Sequence, residues 1–257
     1  MALRFWPFAL IPLALSRMWQ ICKKEWNQFF SSLTGYISVA LFLVLNGLIF
    51  FVFPSASLLD FGYASLQNFF HTAPWVLLFL VPTITMRSFA EEFKTGTFEL
   101  LKTMPLTSSQ LVWGKFCGAL MVVALAILPT VIYAFSLQAL SAAGGMDAGA
   151  TIGSYIGLLM LGAVFTAAGI CAGSFTNNTV VAFITGAFAC LILYTGFDAI
   201  ASLPVFKNGY DYYLQMAGIN FHYSNISRGV VDIRDIIYFT GLILVFIFIT
   251  RRNIEKR

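Results

Sequence analysis

Charge is scarce in this chain, since only 10% of its 257 residues are Asp, Glu, Lys or Arg. A water-facing surface carries roughly 25–35% of such residues, so an ordinary soluble domain is excluded. Histidine is nearly missing as well. His71 and His222 are the only two, and without a third ligand they define neither a metal nor a haem site. The cysteines at 22, 117, 171 and 190 show no ligand spacing and imply no structural disulfide. A phosphate-binding G-x-x-x-x-G-K-[ST] loop is absent, because Gly114-Lys115 runs into Phe116, and H-E-x-x-H and a Ser/His/Asp grouping are absent too. The chain therefore reads as a non-enzyme with no catalytic residue, no bound cofactor and no metal of its own. Short alternating segments are also lacking, which excludes an outer-membrane barrel.

What the chain has in excess is apolar surface: 59% of it is hydrophobic, with 27 Phe. In lipid the backbone must satisfy itself within each segment, so apolar runs of about 20 residues become helices. Six spans are expected, at about 36–53, 69–86, 116–137, 152–173, 178–197 and 233–250. Pro74 and Pro82 in the second and Pro129 in the third predict kinks, tolerable where neighbours cover the freed carbonyls. Ser174 to Asn178 is short and polar enough to be a tight hairpin. In the fourth span Gly153 and Gly157, then Gly169 and Gly173, are four apart, a spacing that lets helices approach closely. Asn46 and Thr166 are candidate interior hydrogen-bonding groups.

Six spans place both termini on one side with segments 87–115 and 174–178. That side holds 12 of the 15 bases (among them Arg4, Lys94, Lys102, Arg251 and Arg252) and all five Glu, while the other holds Lys207, Arg228, Arg234 and all six Asp, including Asp60. The positive-inside rule makes the basic side cytoplasmic. Because topology accounts for the bases, a nucleic-acid partner is not expected.

Residues 5–15, FWPFALIPLAL, are apolar but too short to span and lack a convincing cleavage site, so residues 1–17 read as an extension, with Met18 as an alternative start. Beyond it, Cys22, Trp26, Phe29, Phe30 and Leu33 recur at helical spacing, while Lys23, Lys24, Asn27 and Gln28 fall on other faces and Glu25 lies between them. The pattern predicts an interfacial helix on membrane lipids, or else a plain extension of the first span. Gly35 then lets the chain turn into that span.

Segment 87–115 alone mixes acids, bases and amphipathic periodicity between spans. Ser88 with Glu91, and Thr107 with Gln110, have the form of capping boxes. A short helix, a break at Thr95-Gly96-Thr97 and a second short helix ending before Pro105 are expected. Lys115 is placed to snorkel to headgroups. Glu91, Glu92 and Glu99 offer charge to a partner and Phe93 and Phe98 offer rings to a pocket; equally, the acids could be a solvated face and the rings lipid anchors.

The run Glu91-Glu92-Phe93-Lys94-Thr95-Gly96-Thr97-Phe98-Glu99-Leu100-Leu101, with Pro105-Leu106 and Gly114-Lys115 behind it and Arg87-Ser88-Phe89 before it, resembles the first cytoplasmic loop of ABC-2 type transporter permeases. Residues 21–32, the stretch from Tyr63 to Pro74, and Phe221-His222-Tyr223 with 227–235 are similar to the subgroup associated with gliding motility. The resemblance implies an all-α polytopic membrane protein: six transmembrane helices, the N-terminal interfacial helix, a cytoplasmic coupling helix and re-entrant external helices between spans five and six, forming one permease domain over 18–257. It implies that Arg87, Phe89, Glu91, Glu92, Phe93, Thr95, Gly96, Thr97, Glu99 and Leu101 couple to cytoplasmic ATPase subunits, on which ATP and Mg are bound. It also implies a second permease copy or related subunit, a companion membrane protein with a large external region, and a role in gliding motility or secretion.

Between the last two spans, residues 198–232 are rich in aromatics such as Phe206, Tyr210 and Tyr213, suited to an interfacial belt or a plain surface loop. His222, Arg228, Asp232, Arg234 and Asp235 are candidates for an external gate. At a span's mouth such charges equally serve as topology anchors, and Arg228 and Asp232, four apart, are a possible pair. The leading function is the membrane subunit of an ATP-driven transporter; an unpowered scaffold of a motility or secretion assembly is the alternative.

Overall fold

The computed structural model describes residues 10–51, 66–140, 147–204, 211–230 and 232–257. Phe206, Lys207, Tyr210, Asp60, Tyr63 and the first nine residues lie outside this set. The described residues are helices joined by turns and short irregular connections. In order they form α1 (Leu10–Phe30), α2 (Leu33–Phe51), α3 (Gln67–Thr85), α4 (Ala90–Thr95), α5 (Thr97–Thr103) and α6 (Ser108–Ile127). They continue as α7 (Val131–Leu140), α8 (Ala148–Ser174), α9 (Thr179–Leu191), α10 (Phe197–Ala201), α11 (Asp211–Met216), α12 (Ile219–Ile226) and α13 (Ile233–Lys256).

Six stretches are long and apolar enough to cross a membrane: Leu33–Phe51, Gln67–Thr95, Ser108–Ala139, Ala148–Ser174, Thr179–Ala201 and Ile233–Lys256. Each overlaps one of the six spans expected from the sequence, and several run longer, the second to Thr95 and the sixth to Lys256. Their apolar windows differ sharply in burial: 78% for α8, against 22% for α2, for the α9–α10 span and for α13. The fourth span is thus the axis of the bundle, and the first, fifth and sixth turn apolar faces outward.

Lipid provides no hydrophobic drive between helices, so the axis is built from small residues that admit close contact. A Cβ on Gly157 would lie 2.6 Å from Ile226 of α12, and one on Gly162 would lie 3.0 Å from Val123 of α6. Gly169 stands directly against Thr85 of α3. Of the glycines noted in the sequence, Gly157 and Gly169 are therefore packing contacts, to α12 and α3, and Gly162 adds a third, to α6. Asn46 and Thr166 spend their donors on their own helices, bonding the Phe42 carbonyl at 2.8 Å and the Gly162 carbonyl at 2.7 Å.

The prolines are handled in two ways. Pro129 ends α6 in a 3-10 turn over Leu128–Thr130, after which α7 continues. Pro74 stays inside α3 and cannot donate to the Phe70 carbonyl one turn back. The Tyr223 hydroxyl of α12 donates to that carbonyl instead, at 2.6 Å. A π-helical turn at Ile192–Gly196, which nothing in the periodicity announced, carries the fifth span into α10.

Candidate functional site

The segment between α3 and α6, residues 86–107, is a folded unit. Gly96 adopts φ 73° and both closes α4 and opens α5, a left-handed position that suits glycine. The Thr107–Gln110 capping box is formed at the start of α6. The one expected at Ser88 is not. Phe89 takes the cap position of α4 without a side-chain bond, because Ser88 belongs to the turn leaving α3, its N–H donating to the Thr85 carbonyl at 3.1 Å.

Helices of six and seven residues do not persist alone. Three rings hold this pair: Phe89 stacks on Phe93 at 5.8 Å, and Phe93 meets Phe98 edge-on at 4.8 Å. Each such contact contributes about 0.5–1.5 kcal/mol beyond area burial. Phe89 and Phe98 are buried, so they form the interior of the loop and are not presented to a partner.

Behind the rings lies a buried charge network. Lys115, only 1% exposed, donates to Glu25 Oε1 at 2.6 Å and to the Ser88 carbonyl at 2.6 Å. Its ammonium also lies 2.9 Å from Glu92 Oε2, an ion-pair contact, and 4.8 Å from the centre of the Phe89 ring. Glu92 takes a second cation, Lys24, at 2.7 Å. Lys115 does not snorkel; three elements have closed over it, α1 through Glu25, α4 through Glu92 and the α3 exit through Ser88. Glu92, expected as a free acid, is likewise internal.

The helix α1 differs from its expected setting in the same way. Cys22 is buried against α6, its Sγ 3.3 Å from Met121 Sδ, so it faces protein and not lipid. Burial pushes its thiol pKa up, with Cys117 and the Glu25 carboxylate adding to the effect. The approach depends on two glycines: a Cβ on Gly114 would sit 2.8 Å from Ile21, and one on Gly118 would sit 2.8 Å from Glu25 Cβ. Lys23 and Lys24 face outward. Trp26, Phe29 and Phe30 form an aromatic group where α1 ends, with Trp26 and Phe30 at 4.8 Å. Gly35 admits the Phe29 carbonyl, allowing the turn into α2.

Other elements converge on the loop. Arg257 lies over the Phe93 ring at 4.2 Å and donates to Asn177 Oδ1 at 2.7 Å, linking the end of α13, the 174–178 hairpin and α4. Asn253 donates to the Ser174 carbonyl at 2.7 Å. Arg17 donates to the Pro105 carbonyl at 2.6 Å. Of the coupling candidates, Thr95, Gly96, Thr97 and Glu99 are exposed, whereas Arg87, Glu91, Phe93 and Leu101 are half-buried. Leu100 and Met104 were not among those candidates, yet they are 65% and 53% exposed and give this surface its apolar part. Their four-residue spacing was the available signal.

At the opposite end of α13, the external candidates separate. Asp232 caps α13, its Oδ1 accepting from the Arg234 N–H at 3.0 Å, so it makes no pair with Arg228. His222 Nδ1 lies 2.6 Å from Asp235 Oδ1, and Nε2 lies 2.9 Å from the Met216 carbonyl. A carbonyl only accepts, so the contact with Met216 makes Nε2 the donor and turns Nδ1 toward the carboxylate. Both residues are buried. Among the described residues no group of three or more His, Cys, Asp or Glu is arranged to hold a metal.

A six-span helical bundle with a small folded unit between α3 and α6 is the architecture of a polytopic membrane protein. The chain belongs to the ABC-2 family of transporter proteins, whose family model matches residues 19–250. Comparison with curated proteins gives no match.

Proposed function

We propose that the chain is the membrane subunit of an ATP-binding cassette transporter and that the α4–α5 unit receives motion from a separate cytoplasmic ATPase. The observation that carries this reading is Lys115: one buried cation joins α1, the exit of the second span and the loop to the first turns of the third span. A push on α4–α5 then moves span helices and is not lost in a flexible connection. In this reading both termini are cytoplasmic in a bacterial inner membrane, ATP and Mg sit on the partner, and a second permease copy or related subunit covers the outward apolar faces.

Within the unit, Glu99, Thr95 to Thr97, Leu100 and Met104 meet the ATPase, while Phe89, Phe93, Phe98, Glu92 and Lys115 keep the unit rigid. His222 and Asp235 hold the outer segment closed against α13. The likeness of residues 21–32, 63–74, 221–223 and 227–235 to gliding-motility permeases supports a place in motility or secretion, beside a companion protein with a large external region.

Replacing Glu99 with Lys and Leu100 with Asp tests the docking face. Loss of ATPase co-purification from membranes is expected, with the chain still inserted. Unchanged co-purification would remove the docking assignment, and binding without coupled hydrolysis would favour a passive scaffold.

A further inference from the structure

Beside the His222–Asp235 pair lies an open cleft of about 360 Å³, lined in part by Phe221, His222, Arg228, Asp232, Arg234 and Asp235. It lies at the end of α13 away from the α4–α5 unit, since Arg257 at the other end reaches Phe93. Arg228 and Arg234 are exposed, and their guanidinium groups make no ion pair among the described residues. Asp235 is 3% exposed, and its second oxygen, Oδ2, has no hydrogen-bond donor. A buried carboxylate oxygen without a donor is costly, so it marks a position where a donor group would be gained.

Charge selects the ligand class. Two exposed guanidinium groups, of Arg228 and Arg234, share the lining with one exposed carboxylate, Asp232. The exposed charge of the described lining is therefore one positive in excess, matching a monoanion. Position selects the source. Ile233 and Ile237, at 70% and 66% exposure and one helical turn apart at the start of α13, give the cleft an apolar neighbour suited to acyl chains.

We propose that this cleft holds the headgroup of an anionic phosphodiester lipid, with the phosphate on Arg228 and Arg234 and a headgroup hydroxyl donating to Asp235 Oδ2, which is enclosed here and turns toward the cleft to accept it. The proposal goes beyond the coupling reading and uses neither the loop nor the ATPase, so either can fail alone.

The test uses the full chain in phosphatidylcholine nanodiscs doped with phosphatidylglycerol, with retained lipid counted by native mass spectrometry after detergent extraction. Phosphatidylglycerol should be enriched over phosphatidylcholine. The R228Q/R234Q double variant should lower that enrichment roughly fivefold, the size expected for two exposed charge contacts, while R228K/R234K keeps most of it. Phosphatidylmethanol, of equal charge but without headgroup hydroxyls, should be enriched less than phosphatidylglycerol. Equal enrichment of phosphatidylglycerol in wild type and R228Q/R234Q overturns the proposal. Displacement of the lipid by soluble glycerol phosphate at matching concentration would assign the site to a soluble phosphate and overturn the lipid source. Should the glutamine variant not fold, the wild-type ranking of the three lipids decides, and no preference among them refutes the site.

Discussion

Replacing Lys115 with Met keeps most of the side chain's volume and removes its charge. Glu25 then loses its only ion-pair partner among the described residues, the Ser88 carbonyl loses its Lys115 donor, and of its two cations Glu92 keeps Lys24. At contacts of 2.6 and 2.9 Å each ammonium–carboxylate attraction is about 6 kcal/mol gross for an effective dielectric constant near 20. Desolvation of three groups that are at most 10% exposed offsets most of this. Breaking such a pair from one side costs about 3–5 kcal/mol, because a buried carboxylate is left behind. Adding Glu25→Gln and Glu92→Gln to Lys115→Met removes the orphaned charges, and the triple variant should recover more than half of the loss. Lys24→Met, removing a cation that is 47% exposed, should cost under about 1 kcal/mol. Unfolding titrations in mixed micelles would rank the variants. A cost below about 1 kcal/mol for Lys115→Met, or a triple variant no better than the single, would refute the claim that Lys115 is held by buried charge.

Tyr223→Phe should cost about 1–3 kcal/mol by orphaning the Phe70 carbonyl, and the cost should shrink in a Pro74→Ala background, where the helix supplies its own donor; a double-mutant cycle without coupling contradicts that assignment. Gly157→Ala should destabilise the bundle by about 1–3 kcal/mol through Ile226, whereas Gly241→Ala, with no atom within 4 Å of the added Cβ, should be neutral or slightly stabilising in the same unfolding assay. Maleimide labelling of Cys22 should be slow at neutral pH and accelerate only above the usual thiol range, because a raised thiol pKa keeps the thiolate scarce until the solution is alkaline; a Ser31→Cys variant at an exposed position should label faster, and equal rates would show that α1 does not pack on α6.

The spans were legible because each is a local property, a run of apolar residues whose backbone has no other solution in lipid. The break at Gly96 and the Thr107 cap were legible for the same reason, being fixed within four residues. The charge network was not. Glu91 and Glu92 are neighbours of identical chemistry, and only the approach of α1, more than sixty residues earlier, makes Glu92 internal while Glu91 stays half-buried. Lys115 looked like a headgroup anchor because periodicity cannot show that Gly114 and Gly118 admit a second helix beside it. Ser88 carried a cap signal that the exit turn of α3 overrode. His222 and Asp235 are thirteen residues apart across a change of direction, and no spacing rule joins them.

The last helix, 24 residues and about 36 Å long, is pinned at both ends: Asp235 to His222 near its start, Asn253 to the hairpin and Arg257 to the loop ring near its finish. An α-helix hardly stretches, so α13 behaves as a tie rod between the two faces of the bundle. An axial slide of one or two ångströms, on the order seen for helix shifts in switching proteins, breaks the contacts at both ends together. Opening one face while the other stays latched requires bending this rod.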